Sequence, residues 1–241
     1  MGFNVWRAPT DNDRKLKADW YAAHYDHAAT NAYHTEYTVT ASGVTLHTHV
    51  GIAAICVQKF LDLDVTWTVA NNGSVDLALH AQRNTVFPEL PRFGLRLFLP
   101  QEMSQVNYYG MGPMECYRDK HHAASHSSYT ATVWQLHEDY IRPQENGSHF
   151  DCDYVMLAGD AVRLTAVGTQ PFSFNASHYT QEELTRKAHN YELEPCGSTV
   201  LCLDYAQNGI GSESCGPRLL EQYRLDDATF NFGLRLFPEK K

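Results

Sequence analysis

The sequence has little positive charge and no long apolar run. It carries 19 lysine and arginine residues against 28 aspartate and glutamate residues, which gives a formal net charge of −9. An acidic chain lacks the positive field that attracts phosphate backbones and anionic lipid surfaces. Its apolar stretches also fall far short of the roughly 20 residues that a helix needs to cross a bilayer. We therefore expect neither nucleic acid nor a membrane as a partner.

The cysteines do not show the spacings that bind zinc or build a disulfide scaffold. Six are present, and none belongs to a C-x-x-C pair. We interpret them as reduced thiols and predict a cytoplasmic protein. No G-x-S-x-G segment occurs, so the sequence does not support the nucleophile elbow of a serine hydrolase.

Two short motifs that resemble ion-binding loops lack the residues that would complete them. Asp11 and Asp13 are not followed by the glycine and distal glutamate of a calcium loop, so turn chemistry explains them better. Gly209 and Gly211 open no predicted helix and follow no βαβ pattern. The sequence therefore predicts neither a calcium loop nor a phosphate cradle.

A histidine-rich segment lies near Asp119. His121, His122 and His126 are interspersed with alanine and serine residues. Two histidines four residues apart on a helix can bind a metal ion, but this composition is typical of a solvated surface loop. We expect no metal site on this chain.

The features that are present indicate β-structure. Aromatic residues make up 12% of the chain, and they pack well in strands, although they also suit sugar binding. Residues 62–70 (DLDVTWTVA) alternate polar and apolar side chains, and turn residues 71–74 lead into a second alternating run at 76–83. Further strands are predicted at 33–41, 43–50, 54–61, 94–99, 103–109, 130–136, 153–158, 161–167, 171–176, 199–205, 219–225 and 229–237. Many short strands separated by turns predict a sandwich.

Helix is scarce in the prediction. Thr180 and Glu183 have the spacing of a capping box, which predicts a short helix ending near His189. A second helix is predicted between Asp13 and Ala29. The hexapeptide FGLRLF occurs at 93–98 and again at 232–237, which predicts two strands in similar sheet environments.

Glycoside hydrolysis ordinarily needs two carboxyl groups, about 5–5.5 Å apart for retention or about 6.5–9.5 Å apart for inversion. Surface loops carry carboxylates routinely, so a catalytic pair is not the favoured interpretation of those found here. The candidates are Glu115, Asp119, Glu145, Asp151 and Asp153.

Five segments go beyond composition. In the same order along the chain, they resemble segments of the C-terminal, small-chain domain of bacterial β-galactosidases of glycoside hydrolase family two. They are 5–13 (VWRAPTDND), 109–119 (YGMGPMECYRD), 140–147 (YIRPQENG), 172–180 (FSFNASHYT) and 203–217 (LDYAQNGIGSESCGP). The resemblance covers almost the whole chain.

The resemblance implies a mainly β fold: an antiparallel, galactose-mutarotase-like β-supersandwich with one or two short helices. It implies that the catalytic glutamates lie on a separate barrel, which needs about 200 residues of its own, so this chain would carry no catalytic residue. The domain would instead support hydrolysis of terminal, lactose-like β-galactosides by covering the active-site mouth. Its partners would be that catalytic barrel or large subunit and a galactoside at the shared site. Any Mg or Na ion would belong to the barrel, so we expect no cofactor here. Glu145, together with Arg142 and Asn146, would form a structural corner or a domain contact.

The resemblance also implies a substrate-binding segment near residue 215. Cys215 matches a position at which the best-known members carry a tryptophan that stacks on a sugar ring, although other members carry cysteine. Gly216 and Glu213 accompany it as candidate substrate-binding residues. Loss of the flat ring predicts weaker or differently shaped acceptor binding. The alternative for Cys215 is a small side chain buried at a turn.

We predict that residues 1–241 form one such domain, lacking its first strands, because family members have strands before the 5–13 segment. Exposed sheet edges and a homo-oligomer that covers them would follow. Two other functions stay open. One is a stand-alone carbohydrate-binding module. The other is a mutarotase-like epimerase with His178 or His189 as its acid.

Overall fold

The computed structural model describes residues 1–211 and 215–241, which are dominated by β-structure. In these residues two short helices are present, α1 (Leu16–Ala22) and α2 (Gln181–Arg186), with 3₁₀ turns at Asp11–Arg14, Tyr25–His27, Asn190–Glu192 and Glu221–Tyr223. The strands of the same part of the chain are β1 (Gly2–Asn4), β2 (Ala29–Thr40), β3 (Gly43–Ala53), β4 (Leu61–Ala70), β5 (Val75–Arg83), β6 (Arg92–Pro100), β7 (Gln105–Gly112), β8 (Ser125–Thr132), β9 (Ser148–Ala158), β10 (Val162–Ser177), β11 (Ser198–Gln207) and β12 (Thr229–Lys240).

The strands form one antiparallel network that branches at β10. Its main order is β1-β6-β11-β10-β12-β5-β4-β3-β2, and β9, β7 and β8 extend from β10. The first part of β10 pairs with β12 and its last residues pair with β11, while β9 pairs along both parts. A register shift between Val167 and Phe172 separates the two parts. Two sheets therefore share this strand. The fold class predicted from the sequence, mainly β and antiparallel with one or two short helices, is confirmed.

Alternation of side chains explains which face of each strand is buried. In β4, Leu61, Leu63 and Val65 are buried, whereas Asp62 and Asp64 point to the other face. The repeated hexapeptide behaves as predicted. Its first phenylalanine and its two leucines are buried in β6 and again in β12. Together with side chains from the other strands they form one hydrophobic cluster.

Some predicted elements are corrected by the structure. The strand predicted at 54–61 is wrong, because residues 54–60 form a turn, with Cys56 at a positive φ of 64° and a hydrogen bond from Val57 N to Ala54 O of 3.2 Å. The strand predicted at 219–225 is wrong, because this segment holds the 3₁₀ turn Glu221–Tyr223, and Leu219 and Leu225 on either side of the turn are buried. Their apolar side chains imitate a strand pattern, because a turn can also direct such side chains into the core.

Other boundaries differ from the prediction. The two strands predicted at 161–167 and 171–176 are the single strand β10, and the strand predicted at 130–136 begins earlier, at Ser125. The helix predicted within 13–29 is only α1 with 3₁₀ turns on either side. Thr180 Oγ1 caps Glu183 N at 3.1 Å, but α2 ends at Arg186. The Glu183 carboxylate accepts a hydrogen bond from Glu194 N, 3.1 Å away. Among the described residues, no helix is long and apolar enough to span a bilayer.

Candidate functional site

The candidate site is the segment that follows β11. Cys215 and Gly216 are exposed, and a Cβ atom added at Gly216 would meet no atom within 4 Å. The alternative of a buried cysteine is therefore wrong. Glu213 lies outside the described residues, so its predicted role stays a prediction. Contacts with the surrounding residues hold the two ends of this segment.

Arg7, from the 5–13 segment, anchors the start of the loop. Its fully buried guanidinium donates to the carbonyl oxygens of Asn208 and Gly209, the latter at 3.1 Å. The same group forms an ion pair of 2.8 Å with Asp13, whose second carboxylate oxygen accepts from Thr10 N at 2.8 Å. The aspartate that could have indicated a calcium loop is thus an arginine partner.

Asp119 holds the loop from the other side. Its carboxylate accepts hydrogen bonds from Ile210 N (3.1 Å) and Gly211 N (2.7 Å). A Cβ atom at Gly209 or Gly211 would lie 2.8 or 2.9 Å from this carboxylate. Glycine is required here by close approach, and Asp119 is engaged in positioning the loop.

The loop also returns to its own starting point. Gly209 N donates to Tyr223 O at 2.9 Å, and Leu225 N donates to the side-chain oxygen of Asn208 at 2.9 Å. Arg118 donates to Arg224 O at 3.0 Å. Both ends of the segment that carries Cys215 are therefore fixed to the body of the domain.

A buried group of charges lies beneath this loop, and we call Arg92, Glu145 and Asp204 the charged framework. Arg92 is fully buried, bonds to both oxygens of Asp204, and lies 3.2 Å from Glu145 Oε2. Burial raises the pKa of the Glu145 carboxyl, and the Arg92 guanidinium opposes this shift. Gln207 donates to Ser148 Oγ at 3.0 Å beside the group. Glu145 thus has a structural role, and its side chain is only 2% exposed.

Glu115 is engaged in a similar way. Its carboxylate accepts hydrogen bonds from Lys120 (2.8 Å), Tyr140 OH (2.5 Å) and Gly147 N (2.9 Å). Burial alone would raise the pKa of Glu115, but these hydrogen bonds outweigh it and hold the pKa below its ordinary value. A general acid needs the opposite shift, so Glu115 fits a structural role that joins the 109–119 and 140–147 segments.

The histidine segment does not converge on one point. His126 lies on β8, not in a loop as predicted, and its ring contacts Asp151 O at 3.0 Å and Asp153 Oδ2 at 3.5 Å on β9. His121 contacts Tyr117 O at 3.2 Å. In residues 1–211 and 215–241, no group of three or more candidate ligands could hold a metal ion.

Two clefts adjoin Asp119, the residue that holds the loop 208–211. One, of about 520 Å³, is lined by Glu115, His121 and His122 among others. The second, of about 480 Å³, is lined by residues that include Asn12 and Ile210. Both share walls formed by Asp119, Lys120 and Tyr140. The sequence did not predict this concave surface, because it forms where distant segments meet.

Among the described residues, neither histidine nominated for an epimerase has a carboxylate partner across a sheet. His178 is buried, with its ring 4.6 Å from that of Trp134 and Nδ1 3.4 Å from Ser198 O. His189 lies at the surface, stacked on Tyr191 and 3.7 Å from Glu192 in the 3₁₀ turn that follows it. Neither arrangement offers an acid and a base on opposite sides of a ligand.

Comparison with known proteins agrees with the five segments. The family model described as "Beta galactosidase small chain" matches residues 1–236. This chain belongs to the β-galactosidase small-chain family. The β-galactosidase of Actinobacillus pleuropneumoniae is 44% identical over 240 residues, and that of Staphylococcus xylosus is 39% identical over 233 residues. These matches cover 100% and 97% of this small chain but only 24% and 23% of those relatives.

Solved structures similar to this small chain include a galactose 1-epimerase from Lactobacillus acidophilus NCFM. That match has a TM-score of 0.43 and 10% identity, and it covers 86% of this chain and 66% of the epimerase. A GalM/aldose epimerase homologue from C. elegans gives a TM-score of 0.41 and 11% identity, with 86% and 68% covered.

Proposed function

We propose that this chain is a non-catalytic part of a β-galactosidase. It supports hydrolysis of terminal, lactose-like β-galactosides by covering the active-site mouth of a separate catalytic domain or subunit. The observation that carries the proposal is the anchored loop, 208–211, with the exposed Cys215 and Gly216 beyond it. A loop fixed at both ends can present side chains to a ligand at a constant distance, which binding requires.

The carboxylates of the chain support a non-catalytic role. Glu115, Asp119 and Glu145 each accept several hydrogen bonds from the protein itself. Asp151 and Asp153 lie on β9, beside His126. A catalytic pair must be free to reach the glycosidic oxygen and the anomeric carbon. About three quarters of each relative lies outside the part that matches this chain, and that length is sufficient for a separate catalytic barrel.

Cys215, Gly216 and Glu213 would border the subsite for the leaving group or acceptor sugar. One cleft is lined by Ile210 and Gly211 of the loop together with Asp119 and Lys120, and polar walls of this kind suit a polyhydroxylated ligand. Mg or Na ions on the separate domain, and a cytoplasmic location, remain predictions of the same proposal.

Co-expression tests the proposal. The A. pleuropneumoniae relative, without the residues that this chain matches, is produced with and without this chain. We expect hydrolysis of a chromogenic β-galactoside only when both are present, and no turnover by this chain alone. If this chain alone hydrolysed the substrate, and Glu115→Gln abolished that activity, the proposal would be overturned.

The subsite is tested by Cys215→Trp in the same complex. A flat ring should strengthen binding of the acceptor sugar by roughly two- to tenfold, seen as a lower KM for lactose, because stacking contributes about 0.5–1.5 kcal/mol. Cys56→Trp is the matched control, since Cys56 is also exposed but lies in the turn before β4. Equal effects of the two substitutions would contradict a subsite role.

A second candidate function, a carbohydrate-binding module, has one observation in its favour. Trp134 is half-exposed and lies 5.9 Å from the ring of Tyr179. Exposed rings of this kind can stack on sugars. Calorimetric titration with lactose tests it, with Trp134→Ala expected to abolish the binding heat and Tyr191→Ala, another exposed ring, expected to leave it unchanged. No binding heat with the unmodified chain would remove this candidate.

A further inference from the structure

One corner of the long sheet carries apolar side chains on an open face. Cross-strand partners share a face, so the register defines rows across the strands. Tyr37, Leu46, Trp67 and Leu77 form one row. The adjacent row continues the same apolar face. It contains Val39, Val44, Val69 and Val75.

In both rows the residue on β2 is the most exposed. In the first row Leu77 on β5 is 2% exposed, whereas Tyr37 on β2 is 72% exposed. In the second, Val69 is 38% exposed and Val39 is 67% exposed. The same face is therefore covered next to β12 and open at the far end. We call Tyr37, Val39, Val44, Leu46, Trp67, Val69 and Val75 the open corner.

The opposite face of β2 has a different character. Glu36 and Thr38 alternate with Tyr37 and Val39, and they belong to rows of polar residues that include His47 and Thr45. This alternation is typical of a strand with one buried face, yet all of β2 is exposed. A face composed for burial but left open marks an interaction surface.

The backbone of β2 points to the same conclusion. β2 ends the strand order, so its outer edge pairs with no strand among residues 1–211 and 215–241. It spans 12 residues, longer than most edge strands. Free N–H and C=O groups on such an edge can accept an added strand.

We propose that the open corner and the outer edge of β2 dock a strand-forming, apolar segment of the remaining part of the β-galactosidase. This inference rests on the proposed function. This chain covers about a quarter of each relative, so the rest of each relative is long enough to contain such a segment. The open corner has no side chain that is charged at neutral pH, so its occupant is apolar and uncharged where the two meet.

A second copy of the chain fits the corner less well. Pairing of two β2 edges would extend the sheet and satisfy backbone groups, but it would leave the apolar face open. Covering that face needs a layer stacked on it, about 10 Å away. A segment that both adds a strand and folds over the face meets both requirements.

In the test, this chain is co-expressed with the A. pleuropneumoniae relative from which the residues that match this chain have been removed. Val39→Lys places a charge in the open corner, and Thr38→Lys places the same charge on the other face of the same strand. We expect Val39→Lys to weaken binding of the large part by about tenfold or more and Thr38→Lys to leave it nearly unchanged. Binding is measured by co-purification and by titration of restored activity, with circular dichroism confirming that both variants fold.

Equal affinities for the two variants would overturn the inference while leaving the proposed function intact. Failure of the unmodified chain to bind or restore activity would instead count against the proposed function. Analytical ultracentrifugation of this chain alone provides the remaining arm. Self-association that Val39→Lys abolishes, without any effect on binding of the large part, would assign the corner to a second copy and overturn the inference.

Discussion

The charged framework and the open corner invert the usual distribution of side chains. In the framework, an arginine and two carboxylates are enclosed, with Arg92 between Asp204 and Glu145. At the open corner, tyrosine and valine side chains face outwards. Buried charges are tolerated because each finds a partner, whereas exposed apolar residues gain nothing from staying in water. The charged framework therefore finds its partners within the chain, whereas nothing among the described residues covers the open corner.

The largest expected effect comes from breaking the framework. Arg92→Met should lower the free energy of unfolding by about 3–5 kcal/mol, because two buried carboxylates lose their partner. Arg235→Met is the matched control. It removes an exposed ion pair with Asp76, which water screens, so the loss of stability should be much smaller. Urea unfolding of both variants measures the difference. Similar small losses in both would show that the framework is not stabilised as described.

The buried residue His149 allows a second stability measurement, in which the cost of burying a titratable group depends on pH. His149 lies against Tyr108 OH (3.1 Å), and its Nε2 has no hydrogen-bond partner among the described residues. Burial lowers the pKa of His149 to about 4 from its ordinary 6.5. The unfolded chain therefore binds a proton that the folded chain does not, and stability should fall by about 3 kcal/mol as pH drops from 6.5 to 4.

Urea unfolding across that pH range measures the slope, and His149→Phe should remove this contribution. His34→Gln, at an exposed position on β2, should not. An unchanged slope in His149→Phe would mean that other groups cause the pH dependence.

The smallest expected effect lies at the open corner. Val65→Ala, at a buried position of β4, should cost about 2 kcal/mol through a cavity. Val39→Ala, on the same face but exposed, should change stability by less than about 0.5 kcal/mol. Thermal or urea unfolding of the isolated chain compares them. A large loss in Val39→Ala would show that the corner is already covered.

Much of this fold follows from local patterns in the sequence. Alternation predicted β4 and β5, and the repeated hexapeptide predicted two strands with the same buried positions. The turns at 54–60 and 219–225 were missed because periodicity alone does not distinguish a short apolar turn from a strand.

The site was only partly predictable. Its segments were recognised, but not the role of Arg92, which belongs to none of them. Its position beside Asp204 depends on the register of β6 against β11, which brings together residues far apart in sequence. The open corner was unpredictable for a different reason. Alternation on β2 indicates which face is apolar, but not whether anything lies over it.

The shared strand β10 ties these two regions into one folding unit. Because it pairs with β12 along its first part and with β11 along its last, neither sheet can separate without breaking its ladder. The sheet that bears the loop and the sheet that bears the corner should therefore melt together. Destabilising the open corner would then change the cooperativity with which the loop unfolds. The two regions need not be in contact for this to happen.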